Sequence, residues 1–322
     1  MNSYSVTIIG AGLTGISAAR KLQEQGVTDF IVVDKGKSVG GRLATRRVGD
    51  GKADHGAQFF TARTEELKTE VDHWLSNGWI KQWFGEKYPR YTSVNGMNQF
   101  AKELAEGLPV SLQTKVNKIN EDAKGMILVD SIGNVWRSER VLITIPVPQV
   151  IELLKNSEVS ISHGAVKLLK SITFTSTYVG IFEFENSTQL PDNGHIHEEL
   201  PDGVERIVDH KKKGISEATI VCVYMTGDWS RRHFGEDYVM SLIKEKAGKY
   251  LDWADLKSEQ LKKWRYAQAN QTVNEPYVDL NDNGRFIVAG DPFLREDDTA
   301  KRTRFESAYL SGNDAGDYLI KL

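Results

Sequence analysis

Cysteine is almost absent: Cys222 is the only one in 322 residues. An internal disulfide is thereby excluded, and no Cys/His cluster at structural-zinc spacing accompanies it, so a reducing, cytoplasmic compartment is the expectation. Long apolar runs are missing too. None approaches the roughly 18 residues of a membrane span, and the N-terminus lacks the basic start and cleavage site of a signal peptide, so no membrane partner is expected. No sign of charge dominates: 41 Lys and Arg stand against 44 Asp and Glu, a formal net charge of −3. That excludes a global positive field able to gather nucleic acid, and any anionic ligand must be met locally. Eight prolines and 28 glycines show neither a collagen-like period nor low-complexity bias. What remains is an ordinary globular composition, 40% hydrophobic and 26% charged. At roughly 150 residues per domain, the length predicts about two domains.

Tyr4 to Ile9 is apolar and β-branched, which predicts a short strand buried on both faces of a parallel sheet. Gly10-Ala11-Gly12-Leu13-Thr14-Gly15 follows at once and fits G-x-G-x-x-G; Ile16, Ala19 and Leu22 then recur at helical spacing up to the stop signal Gly26. Phe30 to Val33 predicts a second strand ending in Asp34, 19 residues beyond Gly15, near the spacing of about 20 expected of a ribose-binding acid. Glycines let the backbone approach a pyrophosphate, the helix start offers N–H groups and a positive dipole end, and the carboxylate accepts ribose hydroxyls. Taken alone, the glycine motif is a tight turn. With strand, helix and acid in order it is a dinucleotide site, with Gly10, Gly12, Thr14, Gly15, Asp34 and Lys35 as candidate binding residues. The acid does not separate FAD from NAD.

Beyond Asp34 come Gly40-Gly41-Arg42 and then Ala53-Asp54-His55-Gly56-Ala57-Gln58-Phe59-Phe60. This pattern resembles the flavin-containing amine oxidase superfamily and, within it, the renalase-like branch. There the glycine pair and arginine support the diphosphate and the later segment runs beside the isoalloxazine, which adds Gly41, Arg42, Gln58 and Phe59 as cofactor contacts. The likeness continues through Tyr91 to Met97, through Val110 to Ile119 as the strand whose Val116 backbone meets adenine, and through a hairpin turning near Gly133-Asn134. Val141 to Pro148, Trp264 to Gln268, Phe286 to Asp291 and Ser307 to Gly312 complete it; residues 157 to 260 are matched only thinly. Gly290 and Asp291 are implied at the flavin's ribityl chain. The implied fold is α/β: a discontinuous Rossmann-type FAD-binding domain, residues 1–63, 92–156 and 278–322, with an inserted α+β substrate domain, 64–91 and 157–277, of the amine oxidase and p-hydroxybenzoate hydroxylase kind. The implied FAD is noncovalent, since no cysteine follows Cys222. The implied activity is oxidation of 2- or 6-dihydro isomers of NAD(P)H to NAD(P)+, with O2 as acceptor and H2O2 as product. Oxidation of a small amine and a non-catalytic binding role on the same fold stay open, as does NAD against NADP.

Flavin hydride chemistry needs the donor carbon held roughly 3 to 3.5 Å from its acceptor atom and no covalent help from the protein. Gln58, Trp264 and Arg265 are the candidate catalytic residues: Gln58 for the flavin edge or a substrate amide, Trp264 as cavity wall or core, Arg265 for an anionic or carbonyl group. A helix starting near Phe305 offers its N-terminus to the reduced ring. Val71, Trp74 and Leu75 lie at helical spacing, and Trp79, Trp83, Phe84, Tyr88 and Tyr91 follow quickly, either as core or as the wall of a planar-ligand pocket. Tyr178 to Phe184 and Thr219 to Met225 predict strands, and Asp237 to Tyr250 a helix. His195-x-His197 lacks a third ligand, so no metal is expected. Within the likeness, His55 takes a position that is otherwise apolar, leaving open proton transfer or a histidine held by backbone. Cys222, in mid-strand, reads as an inert buried hydrophobe. Lys211-Lys212-Lys213 and Arg231-Arg232 read as solvated surface, or alternatively as partners for dinucleotide phosphates.

Overall fold

The computed structural model describes residues 1–321. It divides into two compact units: Met1–Gly41 with Ala101–Phe174 and the chain from Ala269 onward, and Arg42–Phe100 with Thr175–Gln268.

The first unit is built on an eight-stranded sheet. Its main path runs Val278–Asp279, Phe286–Val288, Val135–Ile143, Asn2–Ile9, Phe30–Val33, Val110–Ser111. The four pairings among the last five of these strands are parallel. Val6 to Ile9 are all buried, as a parallel strand covered on both faces requires. One face carries the helices Leu13–Glu24 and Phe305–Lys321, where the second helix crosses the first at Gly312 and Gly316. The other face forms an apolar cluster with helices Val147–Lys155 and His163–Ser171. The first helix stops where its sequence says it must, with Gly26 at φ +81°. Val110 to Ile119 is not one strand. Gln113 takes φ +57°, and the chain leaves Val110–Ser111 to begin a second strand, Val116–Asp122, antiparallel to Gly125–Asp130.

In the second unit a five-stranded sheet runs His195–Ile196, Val204–Asp209, Thr219–Met225, Phe174–Phe184, Leu256–Ala269. Every residue of Thr219–Met225 is buried. Val221, Val223 and Met225 pack under helix Val239–Ala247, while Ile220, Cys222 and Tyr224 face Val48 and Ala53 of the hairpin Thr45–Val48/Gly51–Asp54. Cys222 therefore sits in an apolar layer, and burial pushes its thiol well above the usual range. Helix Glu65–Ser76 buries Leu67, Val71 and Trp74 and exposes Leu75. The Asp237 to Tyr250 helix is shorter than its pattern predicts, covering Val239–Ala247.

The units divide at places other than the expected domain boundaries. Residues 42–63 and 92–100 pack with the second unit, because the hairpin covers Thr219–Met225 and Phe60 joins Trp74 and Phe100 in an aromatic core. Residues 157–174 and 269–277 pack with the first, since Ala165, Leu169, Ile172 and Ala269 belong to its sheet cluster.

Candidate active site

In the first unit the parallel strands end in register: Ile9 pairs Ile143 and Val33, and Ile143 pairs Val288. Gly10, Asp34, Thr144 and the Ala289-Gly290-Asp291 run thus leave the sheet from one carboxyl edge, the place where open α/β sheets bind ligands. Gly10 turns at φ +114°, and the helix begins at Gly12 with no side-chain cap. Its first N–H groups are left for solvent or an anion. Two glycines of the motif do different jobs. A Cβ on Gly15 would lie 1.9 Å from the Gly10 carbonyl oxygen, so this glycine sets the strand–helix distance. A Cβ on Gly12 would meet nothing within 4 Å, so the open space at the helix start serves no packing inside the protein and fits the approach of a diphosphate.

Asp34 closes the cradle. Its Oδ2 accepts the Ala11 N–H at 2.8 Å and its Oδ1 the Gly36 N–H at 2.6 Å, which puts the carboxylate beside the glycine turn. The Gly40-Gly41 pair packs on the same turn, with the Gly40 N–H donating to the Ala11 carbonyl at 2.7 Å and both residues at positive φ. Thr14 and Val116 are buried, as are Gly290 and Asp291, and the Gly290 N–H donates to Ser311 Oγ at 2.9 Å. Lys35 is exposed and donates to Gln149 Oε1 at 3.1 Å. This donor set, with uncapped helix N–H groups and a carboxylate at ribose distance in sequence, suits an adenine dinucleotide.

The remaining candidates, Arg42, Gln58, Phe59, Trp264 and Arg265, belong to the second unit. Arg42 donates to the Ala267 carbonyl at 3.2 Å. Gln58 is buried with both ends of its amide engaged: Nε2 donates to the Asp54 carbonyl at 2.7 Å and to the Tyr224 hydroxyl, and Oε1 accepts from Lys213 Nζ at 3.2 Å. These bonds tie Gln58 to its own segment and to Lys213. Trp264 and Arg265 cannot line one cavity together. Successive strand residues face opposite sides, and Trp264 is half-buried with its Nε1 on the His55 carbonyl at 2.7 Å while Arg265 is exposed, 5.9 Å from the Phe234 ring.

His55 stacks on Trp264 with centroids 5.3 Å apart. Burial, then Lys262 and Arg46, lower its pKa to about 4, so the imidazole is neutral at pH 7. Phe59 meets Trp83, Phe84 and His195, with centroids 5.6 to 6.2 Å away. Trp83 and Phe84 are neighbours in sequence, yet both reach this cluster because a register shift between Gln82 and Phe84 breaks the strand's alternation. His195 and His197 stack at 4.8 Å, and burial with Arg206 brings the His195 pKa to about 3. Among the described residues no group of three or more His, Cys, Asp or Glu could hold a metal ion.

Beneath Phe59 lies a group that the sequence reading missed. Lys213, expected on a solvated face, is fully buried, and its Nζ lies 2.8 Å from Asp54 Oδ2. Asp209 accepts the N–H groups of Lys211 and Lys212, at 2.9 and 3.2 Å, and this turn sends the third lysine inward. Burial alone would raise the Asp54 pKa, but Lys213, His210 and hydrogen bonds outweigh it and hold the carboxyl below its ordinary value. His210 is buried beside the pair with Nδ1 3.1 Å from the Ile220 carbonyl, and burial followed by Lys213 lowers its pKa to about 3.

These features agree with known proteins. Residues 8–74 match the NAD(P)-binding Rossmann-like domain and residues 72–317 the flavin containing amine oxidoreductase family. Renalase of Mus musculus is 28% identical over 197 residues, a stretch covering 55% of this chain and 57% of renalase. Polyamine oxidase 7 of Oryza sativa subsp. japonica is 39% identical over 54 residues, 17% of this chain and 11% of that protein. Over 99% of both chains the fold superposes on a putrescine oxidase variant, made in a redesign of cofactor binding, with a TM-score of 0.69 at 12% identity. With well over half its length matched, the chain belongs to the flavin containing amine oxidoreductase family.

Proposed function

We propose that the protein is an FAD-dependent oxidase whose reductant is a 2- or 6-dihydro isomer of NAD(P)H, released as NAD(P)+, with O2 as final acceptor and H2O2 as product. The observation that carries this reading is the charge around Phe59. The Arg206 guanidinium lies 5.5 Å from the Phe59 ring and Arg90 5.6 Å from Phe84. Glu205 pairs with Arg206, and the Asp54–Lys213 pair is buried and neutral overall, so two guanidiniums stand against one carboxylate at these rings. An amine substrate is a cation at neutral pH and is disfavoured beside the guanidinium in excess. A dinucleotide brings a planar ring for the aromatic faces and a diphosphate for the guanidiniums.

FAD, when bound, takes up the hydride and supplies the electron pair that reduces O2. The protein's part is positioning. Gly12, Thr14 and Gly15 at the uncapped helix start receive the cofactor's diphosphate and Asp34 its ribose; Arg42, Gly41, Val116, Gly290 and Asp291 are assigned to the rest of the cofactor, Phe59 to the ring region and Trp264 to the exclusion of water. The lone thiol, Cys222, is buried in an apolar layer and offers no cysteinyl link to FAD.

Anaerobic mixing of the FAD-loaded protein with 2- and 6-dihydronicotinamide dinucleotides, and separately with putrescine and spermine, tests the reading. Bleaching of the flavin's visible band by a dihydro isomer is the expected result. Bleaching by the amines alone overturns it in favour of amine oxidation, and a protein that cannot be loaded with FAD points to a binding role. In a companion measurement, Asp34→Ala should raise the FAD dissociation constant by roughly 10- to 100-fold, the loss of one or two charge-assisted hydrogen bonds. An affinity unchanged from wild type in a flavin titration would refute the assignment of Asp34 to the ribose.

A further inference from the structure

We propose that Lys213 is a positioning residue that sets the conformation of the segment Asp54–Phe60, and through it the placement of Phe59. This rests on the reading that the segment faces the flavin and its substrate. Lys213 has three ammonium protons and three acceptors, all on this segment: Asp54 Oδ2 at 2.8 Å, the Gln58 carbonyl at 2.7 Å and Gln58 Oε1 at 3.2 Å. With its donors spent, it has none left for a substrate and does not itself take part in the chemistry. The acceptors span one turn of chain, so the ammonium clamps the two ends of Asp54-His55-Gly56-Ala57-Gln58 together.

Its partners are fixed in turn. Asp54 Oδ1 accepts from the Thr45 hydroxyl at 2.6 Å and from the Met97 N–H at 2.8 Å, and the Tyr224 hydroxyl donates to the Asp54 carbonyl at 2.8 Å. Gly56 passes so close to Arg42 that a Cβ would lie 1.9 Å from its carbonyl oxygen, leaving the segment no slack. Lys213 also lies 4.8 Å from the centre of the Trp83 ring, one of the rings that surround Phe59. A buried ion pair is weak evidence for stability, because an apolar pair of the same volume often does as well. What an apolar pair cannot do is orient the Gln58 amide and both ends of the loop at once.

The test separates position from stability. Lys213→Met leaves Asp54 buried and unpaired and is expected to lower the melting temperature sharply. The double variant Asp54→Asn/Lys213→Met removes both charges and is expected to recover most of that stability. It should still show at least tenfold faster amide hydrogen exchange across Asp54–Phe60 in the apoprotein, an altered visible circular dichroism of added FAD, and a KM for dihydronicotinamide raised at least tenfold with a smaller change in kcat. Lys213→Arg, which keeps the charge but not the fit, should share the exchange phenotype. If the double variant returns exchange, dichroism and KM to wild-type values along with stability, Lys213 is a structural charge only and the proposal falls. Reduction by amines instead of dihydronicotinamides would overturn the proposed function while leaving the exchange and dichroism comparison decisive for Lys213.

Discussion

Gly15→Val is expected to abolish FAD binding and to unfold the first unit. The reason lies in backbone geometry rather than in the ligand. Even a single Cβ at this position falls 1.9 Å from the Gly10 carbonyl oxygen and 2.9 Å from Thr144 Oγ1, so the helix Leu13–Glu24 cannot stay on its strand once a side chain intervenes. The opposite side of the same helix is equally closed, since a Cβ on Gly312 would lie 2.3 Å from the Thr14 carbonyl oxygen and 2.9 Å from Ser17 Cβ. Held between two backbones, the helix has no direction in which to yield. Overpacking of this kind costs roughly 1 to 3 kcal/mol and more where backbone must move, and Gly15→Ala and Gly312→Ala should each reach the upper end in urea unfolding. Only Gly15→Ala also displaces the helix N-terminus from the glycine turn, so its FAD affinity should fall further than that of Gly312→Ala. Equal losses of affinity in a flavin titration would contradict the division of labour between strand contact and helix crossing.

The second large effect is loss of stability in mild acid. His210 and His195 are buried and neutral, each with a folded-state pKa of about 3 against an ordinary 6.5. Between those values the unfolded chain binds more protons than the folded one, so stability is fully present above pH 6.5 and falls as pH drops through the window. Each such histidine contributes a slope of about 1.4 kcal/mol per pH unit. His55, at about 4, acts in the same direction over a shorter range. Asp54 adds to the fall at lower pH, because a carboxyl held below its ordinary value stabilises the fold only while it is ionised. Urea midpoints of the apoprotein measured from pH 7 to pH 4.5 should therefore drop steeply. His195→Phe should remove one histidine's share, since His195 Nε2 is buried with no hydrogen-bond partner among the described residues and the ring already packs among Phe59, Trp83 and Phe84. A variant as acid-sensitive as wild type would place the cause elsewhere.

Much of the first unit was legible residue by residue. Tyr4–Ile9, Gly10–Gly15, Phe30–Asp34 and Gly26 each carry a local rule, of strand pattern, tight turn, acid spacing or helix stop, and the fold obeys all of them because each rule is met within the one βαβ stretch, whatever strands later join beside it. The break of Val110–Ile119 at Gln113 escaped notice, since nothing in an apolar and polar mixture marks a non-glycine residue that takes a positive φ. In the second unit, the mid-strand position of Cys222 among apolar residues marked it as buried, and the strand's period puts Tyr224 on the same face. Trp264 and Arg265, neighbours in the chain, are sent by their strand to opposite faces, which their order in the sequence does not show.

By itself, then, the chain's order of amino acids determined the nucleotide cradle, the absence of disulfides and the family, because those depend on contacts between residues close in sequence or on residue type alone. Only the tertiary structure decided that Lys213 leaves a run of three lysines to meet Asp54, 159 positions away, and that Gln58 spends its amide on that pair. A charge is driven into the interior only when an opposite charge is waiting there, and that condition is set by two distant segments meeting, which no local pattern records.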